Sequence, residues 1–448
     1  MFAILWRRAV RAAASKCAVG LVAVVAASLA QAALPIEHWT TSSGARVYFV
    51  RADTIPMLDL SVVFDAGARF DPSERLGLAA MTNAMLARGA GGLDEATISE
   101  GFAKLGAQRG GGAGDDYASV SLRTLTSEPQ LSEATALLAR IVSQPEFPQV
   151  VLDREKARTV QAILEAETKP ETIARRNFGE LTYGSHPYGQ QARADTVAAI
   201  GRDELVRFHR EHYDADHAVV AMIGAIARER AEAIAEQLTA ALPAGTPRPK
   251  VPDVVPLERS AERRIAHPAS QSHILVGAPA IARGDPDYFP LFVGNYVLGG
   301  GGFVSRLYSE VREQRGLAYS VYSYFSPLLQ PGPFTIGLQT RKEQTQEALT
   351  VVRGTLEGFV RDGPTQAEVD AAKSNLVSGF PLRIDSNRKI LGYLETIGFY
   401  RLPLDYLDRW TGQVEAVTRE QIADAFARRL NPDAMATVVV GNGEAPAN

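Results

Sequence analysis

The residues that first suggest a reactive centre are three histidines crowded into one stretch, His209, His212 and His217 in FHREHYDADH. Imidazoles beside carboxylates can hold a metal ion. The spacing argues against it: His209 and His212 are three apart, and Phe208 stands where H-x-x-E-H would need its first histidine. The stretch reads instead as a solvated helix C-terminus, where histidines favour the dipole. The glycine cluster Gly299–Gly302 raises phosphate binding, but no Lys-Ser/Thr follows it and no G-x-G-x-x-G sits between strand and helix. A second cluster, RGGGAGD at 109–115, precedes the alternating run Tyr117–Leu125 and is expected to be a flexible loop leading to a sheet edge. His186, beside Pro187 in ELTYGSHPYG, reads as part of a packed loop and not as a ligand.

A more informative stretch is Gly77–Ala90, GLAAMTNAMLARGA. It resembles the signature helix of the pitrilysin/insulinase zinc metallopeptidases, the inverzincins, whose pattern is approximately G-L-A-H-x-x-E-H-M-L-x-x-G. The frame is kept, but Ala80, Asn83 and Ala84 stand where the resemblance would put the two ligand histidines and the general-base Glu. Alanine offers zinc no lone pair, and an Asn amide takes no proton at neutral pH. The family's third ligand, a downstream Glu, should fall near Gln161 or Ala162, with Glu165 three or four residues off. The expectation is no metal site and no cofactor in this chain.

The second half keeps a different part of the family pattern. Leu298–Val321, LGGGGFVSRLYSEVREQRGLAYSV, resembles the family's glycine-rich segment followed by S-R-L-x-x-x-x-R-E-x-x-G-L-A-Y. By that resemblance the family's paired Arg and Tyr map to Arg312 and Tyr319, which in family members reach the peptide bound at the zinc of the opposite half. Read from the residues, Val304–Gln314 has helical spacing with Gly316 as its stop, and Leu317–Phe325 alternates as a strand. A guanidinium and a phenol there are fixed donors able to hold a carbonyl and the oxyanion that develops from it.

These residues must be positioned by a duplicated scaffold. Val197–Gly224 lies without a gap over Val414–Gly441, an offset of 217, with five of 28 positions identical. Each copy reads as an N-cap near Gly201 or Thr418, an amphipathic helix, a polar turn and a buried strand ending in Gly. Ala79–Leu86 lies over Leu291–Leu298 at an offset of 212. Two tandem copies of one α+β domain follow, each a mostly antiparallel sheet with helices on one side, together half of a clamshell. In the first copy the expected strands are Arg46–Val50, Leu58–Ala66 and Tyr117–Leu125, and the expected helices are Leu76–Ala87, Pro129–Ser143, Gln149–Thr168 and Arg202–His212. Prolines at 243, 247, 249, 252 and 256 make residues 242–257 a semi-rigid linker between domains at 33–241 and 258–448.

Residues 1–32 read as a secretory signal peptide, with Arg7, Arg8, Arg11 and Lys16 before the small, apolar run Cys17–Ala30 and an Ala30-Gln31-Ala32 cleavage site. Arg7-Arg8 leaves twin-arginine export open beside the general route. Cleavage leaves 43 basic against 51 acidic residues and removes Cys17, the only cysteine. A net-acidic, thiol-free chain excludes disulfides and thiolate metal sites and disfavours nucleic acid.

The expectation is therefore a periplasmic, non-zinc, substrate-binding subunit of a heterodimeric pitrilysin-family peptidase. By resemblance it is inactive alone, and a partner of similar length bearing H-x-x-E-H supplies the zinc while this chain supplies Arg312 and Tyr319. Its substrates would be peptides or unfolded segments. A catalytically inactive peptide-binding or structural scaffold, like the family's core subunits in respiratory complexes, is the alternative. A peptidase using unconventional zinc ligands is the least supported, since no remaining His/Glu set has ligand spacing.

Overall fold

The computed structural model describes residues 35–441, so the expected signal peptide at residues 1–32 lies outside the described residues. The first sheet contains β1 (Glu37–Thr40), β2 (Arg46–Arg51), β3 (Met57–Phe64), β4 (Gln108–Ala113), β5 (Ala118–Leu125) and β6 (Val219–Gly224), in the order β1-β2-β6-β3-β5-β4. The second contains β7 (Ala261–Ala266), β8 (Gln271–Ile281), β9 (Ala318–Phe325), β10 (Gly332–Arg341) and β11 (Ala436–Gly441), in the order β9-β10-β8-β11-β7. Pairing is antiparallel except for β2 with β6 and β7 with β11. Matched from those parallel pairs outward, β2, β6, β3, β5 and β4 correspond to β7, β11, β8, β10 and β9. The chain is an α+β duplication, and the 217 offset carries β6 onto β11 residue for residue.

The longer helices of the first half are α1 (Leu78–Met85), α2 (Glu95–Lys104), α3 (Gln130–Ser143), α4 (Gln149–Ala166), α5 (Pro170–Tyr183), α6 (Arg202–His212) and α7 (Arg228–Thr239). Those of the second half are α8 (Tyr288–Asn295), α9 (Thr345–Asp362), α10 (Gln366–Gly379), α11 (Asn387–Tyr400), α12 (Tyr406–Ala416) and α13 (Arg419–Arg429). Equivalent helices start by equivalent caps. Gln421 and Thr418 exchange side-chain and backbone hydrogen bonds at α13, and Glu204 Oε2 accepts the Gly201 N–H at 2.7 Å at α6. No helix among the described residues is long and apolar enough to cross a membrane.

Helices cover both faces of each sheet, which corrects the one-sided expectation. Val47, Phe49, Val220 and Met222 join the core beneath the first half's own helices. Their alternates, Tyr48 and Val219, meet α11 of the second half, where a Cβ on Gly398 would come within 2.5 Å of Val219. Reciprocally, α5 of the first half lays Ala174 and Phe178 on Ala436, Val438 and Val440 of the second sheet. The central strands β6 and β11 are buried along their whole length because neither face reaches water. The prolines leave 243–257 without helix or strand, but Arg248 anchors this segment to Asp65 at 3.1 Å and Asp214 at 2.5 Å.

Two further expectations are corrected. The glycine cluster at 109–115 is mostly edge strand β4, not a flexible loop: Gly111 has φ +123°, and a Cβ there would lie 2.1 Å from Ser119 O, so close strand approach selects glycine. The expected helix Val304–Gln314 is broken into a 3-10 turn at Gly302–Val304, one α-turn at Arg306–Tyr308 and a π-turn at Ser309–Glu313. ELTYGSHPYG begins inside α5 and becomes a loop only after Tyr183, where Gly184 adopts φ +57°. His186 then accepts the Tyr188 N–H and meets Pro252 O at 3.0 Å.

Candidate functional site

Helix α1 is built like a metal-site helix whose donors have been replaced. Gly77 supplies a left-handed entry at φ +101°, and the Asp71 carboxyl accepts the Gly77 and Ala79 N–H groups at 2.7 and 2.8 Å. Burial pushes Asp71 up to about 7. Leu78, Ala79, Met81, Thr82 and Met85 enter the core, which leaves Ala80 and Ala84, four apart, on the open stripe. Asn83 points inward: its amide donates to Ser119 O at 3.1 Å and meets Tyr213 Oη at 3.4 Å.

This donor set does not fit zinc. Two methyl groups face the open side, and the only polar member of the three is committed to a strand carbonyl. Downstream on α4, Gln161, Ala162 and Glu165 are exposed, and Glu165 pairs with Lys169 at 3.1 Å. Among the described residues no three His, Cys, Asp or Glu side chains form a group able to hold a metal ion.

The histidine stretch is not a solvated helix end, which corrects that expectation. His209 and His212 are 7% and 5% exposed, because α6 turns this face into the core. His209 stacks on Tyr213 and hydrogen-bonds Val142 O at 2.9 Å; His212 lies against Phe70 and Phe208. Burial drives both down to about 4. His217 pairs separately with Asp214 at 2.8 Å.

Arg312 and Tyr319 come together. The Arg312 guanidinium carbon lies 4.5 Å from the Tyr319 ring centroid and 4.9 Å from that of Tyr308, so the cation is held between two aromatic faces. Two irregularities create this contact. The π-turn carries Arg312, and a bulge between Ala318 and Val321 sets Tyr319 on edge strand β9, 79% exposed. Among the described residues no carboxylate pairs with Arg312. Arg312 is half-buried beneath the exposed Tyr319 ring.

Sequence reasoning missed Asp116. This buried carboxylate accepts Tyr188 Oη–H at 2.6 Å, Tyr400 Oη–H at 2.9 Å and the Leu329 N–H at 2.8 Å, and pairs with Arg69 at 3.6 Å. It ties both halves together. Its partners are scattered over more than 300 positions, so no local motif marks it.

A duplicated α+β module that keeps a peptidase signature helix without its donors, beside an assembled Arg/Tyr pair, defines a degenerate zinc-peptidase fold. Residues 46–196 match the description insulinase (peptidase family M16), and residues 199–376 match peptidase M16 inactive domain. A solved peptidase M16 inactive domain from Pseudomonas fluorescens aligns with TM-score 0.87 and 39% identity over 92% of this chain and 99% of that one. The chain is 25% identical over 411 residues to the uncharacterized zinc protease YmxG of Bacillus subtilis, covering 88% of this chain and 95% of the relative. It is also 25% identical over 403 residues to the non-peptidase homolog YmxG of Helicobacter pylori, covering 87% and 90%. The chain belongs to the insulinase (M16) peptidase family.

Proposed function

We propose that this chain is the non-zinc, substrate-binding subunit of a periplasmic, heterodimeric M16 metallopeptidase that cleaves peptides or unfolded segments. The observation that carries this reading is the assembled Arg312–Tyr319 pair, with Tyr319 exposed, in a chain whose α1 has no zinc donors. A partner of similar length bearing H-x-x-E-H would supply the Lewis acid. From this side, Arg312 and Tyr319 would hold the substrate carbonyl by charge-assisted and neutral hydrogen bonds that strengthen as charge develops on oxygen. Export rests on the leader read at residues 1–32.

The test mixes the purified chain with its candidate partner and measures zinc-dependent peptide cleavage. Arg312→Ala and Tyr319→Phe are each expected to lower turnover by about 10²–10³-fold while the pair still assembles. No gain in cleavage over the partner alone overturns the reading. The relative named a non-peptidase homolog and the matched inactive-domain description favour a second reading, a peptide-binding or structural scaffold. It predicts that the same substitutions leave function unchanged.

A further inference from the structure

The irregular segment that carries Arg312 holds two other arginines, and both are fixed by acids. Arg306 forks onto Glu368 at 2.7 and 2.6 Å, and Arg315 reaches Glu310 at 2.6 Å. Arg312, between them in the chain, is held differently. Its guanidinium forms no ion pair and no hydrogen bond among the described residues; it stands instead 4.9 Å from the ring centroid of Tyr308 and 4.5 Å from that of Tyr319. A carboxylate fixes a guanidinium by consuming its N–H donors, whereas a ring face attracts the cation through the π-quadrupole and leaves those donors unspent. An arginine that must present donors to a carbonyl is therefore better held by rings.

Of the two rings, Tyr308 is the one that is itself held. Tyr319 is largely exposed on edge strand β9. Tyr308 is half-buried, on a turn anchored by the fully buried Leu307 and Val311. Phe303, at the end of the glycine cluster, meets the Tyr308 ring edge-on, with centroids 5.0 Å apart and planes at 87°. Tyr308 and Arg312 are four apart, so one turn brings ring and guanidinium onto the same face. The Tyr308 hydroxyl makes no hydrogen bond among the described residues, which leaves the ring as the part in use.

We propose that Tyr308 is a positioning residue: its ring face, braced by Phe303, holds the Arg312 guanidinium beside Tyr319 with its N–H donors free for a substrate carbonyl. This role rests on the reading that Arg312 serves a partner's zinc site. The holding itself is a property of this chain alone.

The first measurement accordingly needs no partner. In the arginine Nε–H NMR spectrum of the mature chain, the Arg312 signal, assigned by its loss in Arg312→Lys, is expected upfield because of the two ring currents. Tyr308→Leu should return it part of the way towards an unstacked arginine, and Tyr308→Phe should leave it in place. A signal that Tyr308→Leu does not move overturns the proposal. So does a Tyr308→Phe signal that moves as far as that of Tyr308→Leu, since the hydroxyl would then be the holding group. In the mixed pair with the zinc-bearing chain, Tyr308→Leu should lower kcat about tenfold with KM changed by less than about twofold, and Tyr308→Phe should restore it. An unchanged kcat in an active pair overturns the positioning role. If the mixed chains cleave nothing, the subunit reading fails, while the spectrum still decides whether Tyr308 fixes Arg312. If Tyr308→Leu does not fold, Phe303→Ala, which removes an exposed ring, replaces it. The Arg312 signal should then move in the same direction by a smaller amount, and a signal that stays in place overturns the proposal.

Discussion

Stability should depend on pH through the buried histidines of α6 in a way that one substitution isolates. His209 titrates at about 4 in the folded chain because burial disfavours its cation, against roughly 6.5 when unfolded. A histidine lowered in the fold contributes stability that is complete above the unfolded value and is lost as pH falls towards the folded one. The loss for His209 is about 3 kcal/mol between pH 6.5 and 4, at 1.36 kcal/mol per unit of pKa difference. The wild-type curve alone hides this. Asp71 and Asp115, raised to about 7 and about 6, act in the opposite sense, since each raised acid regains stability as pH falls through its folded value. His212, also at about 4, adds to the histidine side. The difference between wild type and His209→Gln removes the shared groups. Gln keeps a donor for Val142 O and does not titrate. At pH 7.5 the variant should be less stable by about 1 kcal/mol through lost ring packing. That gap should close and reverse as pH falls, and near pH 4 the variant should be the more stable by roughly 2 kcal/mol. Urea midpoints read from tryptophan fluorescence at each pH measure it, and a gap constant from pH 7.5 to 4.5 would refute the account of His209.

Other outcomes follow from particular contacts. Phe178→Ala should destabilise by about 3–5 kcal/mol, since this 6%-exposed ring on α5 carries the packing of the first half onto the second sheet. Urea unfolding should stay a single transition; two separate transitions in the unsubstituted chain would show that α5 and α11 do not couple the halves. Gly111→Val should release β4, because its φ of +123° and the 2.1 Å approach to Ser119 O admit no side chain; amide exchange should accelerate in β4 and remain slow in β6. The chain incubated with excess zinc and desalted should retain none. Installing Ala80→His, Asn83→Glu and Ala84→His should still not yield stoichiometric zinc, as the third donor is missing on α4; one tightly held zinc per chain in either protein contradicts the donor argument.

Much of the scaffold is legible in the sequence, for local reasons. Helix α6 matches its expected limits, and β2, β5 and α3 differ from theirs by a residue at one end, because periodicity and caps act within a few residues. The duplication was legible because buried strand and amphipathic helix impose the same pattern at a constant offset. Misreadings arose where a residue type has two physical uses. Glycines at 110–112 permit close strand approach as readily as a mobile loop, and a histidine at a helix end can face the core as readily as the solvent. The interrupted turns at 302–313 leave no mark in the sequence, because helical spacing does not distinguish an α-turn from a π-turn one residue wider.

Composition and local pattern already determined the α+β duplication and the absence of zinc donors on α1, since a side chain without a lone pair cannot ligate in any fold. They also placed Arg312 and Tyr319 near each other along the chain. Only the tertiary structure decided that these two residues touch, that α5 and α11 are exchanged between the halves, and that Asp116 joins Tyr188 to Tyr400. The physical reason is range: propensity, capping and periodicity act over a few residues, whereas burial, ion pairing and cavities depend on which distant segments pack together.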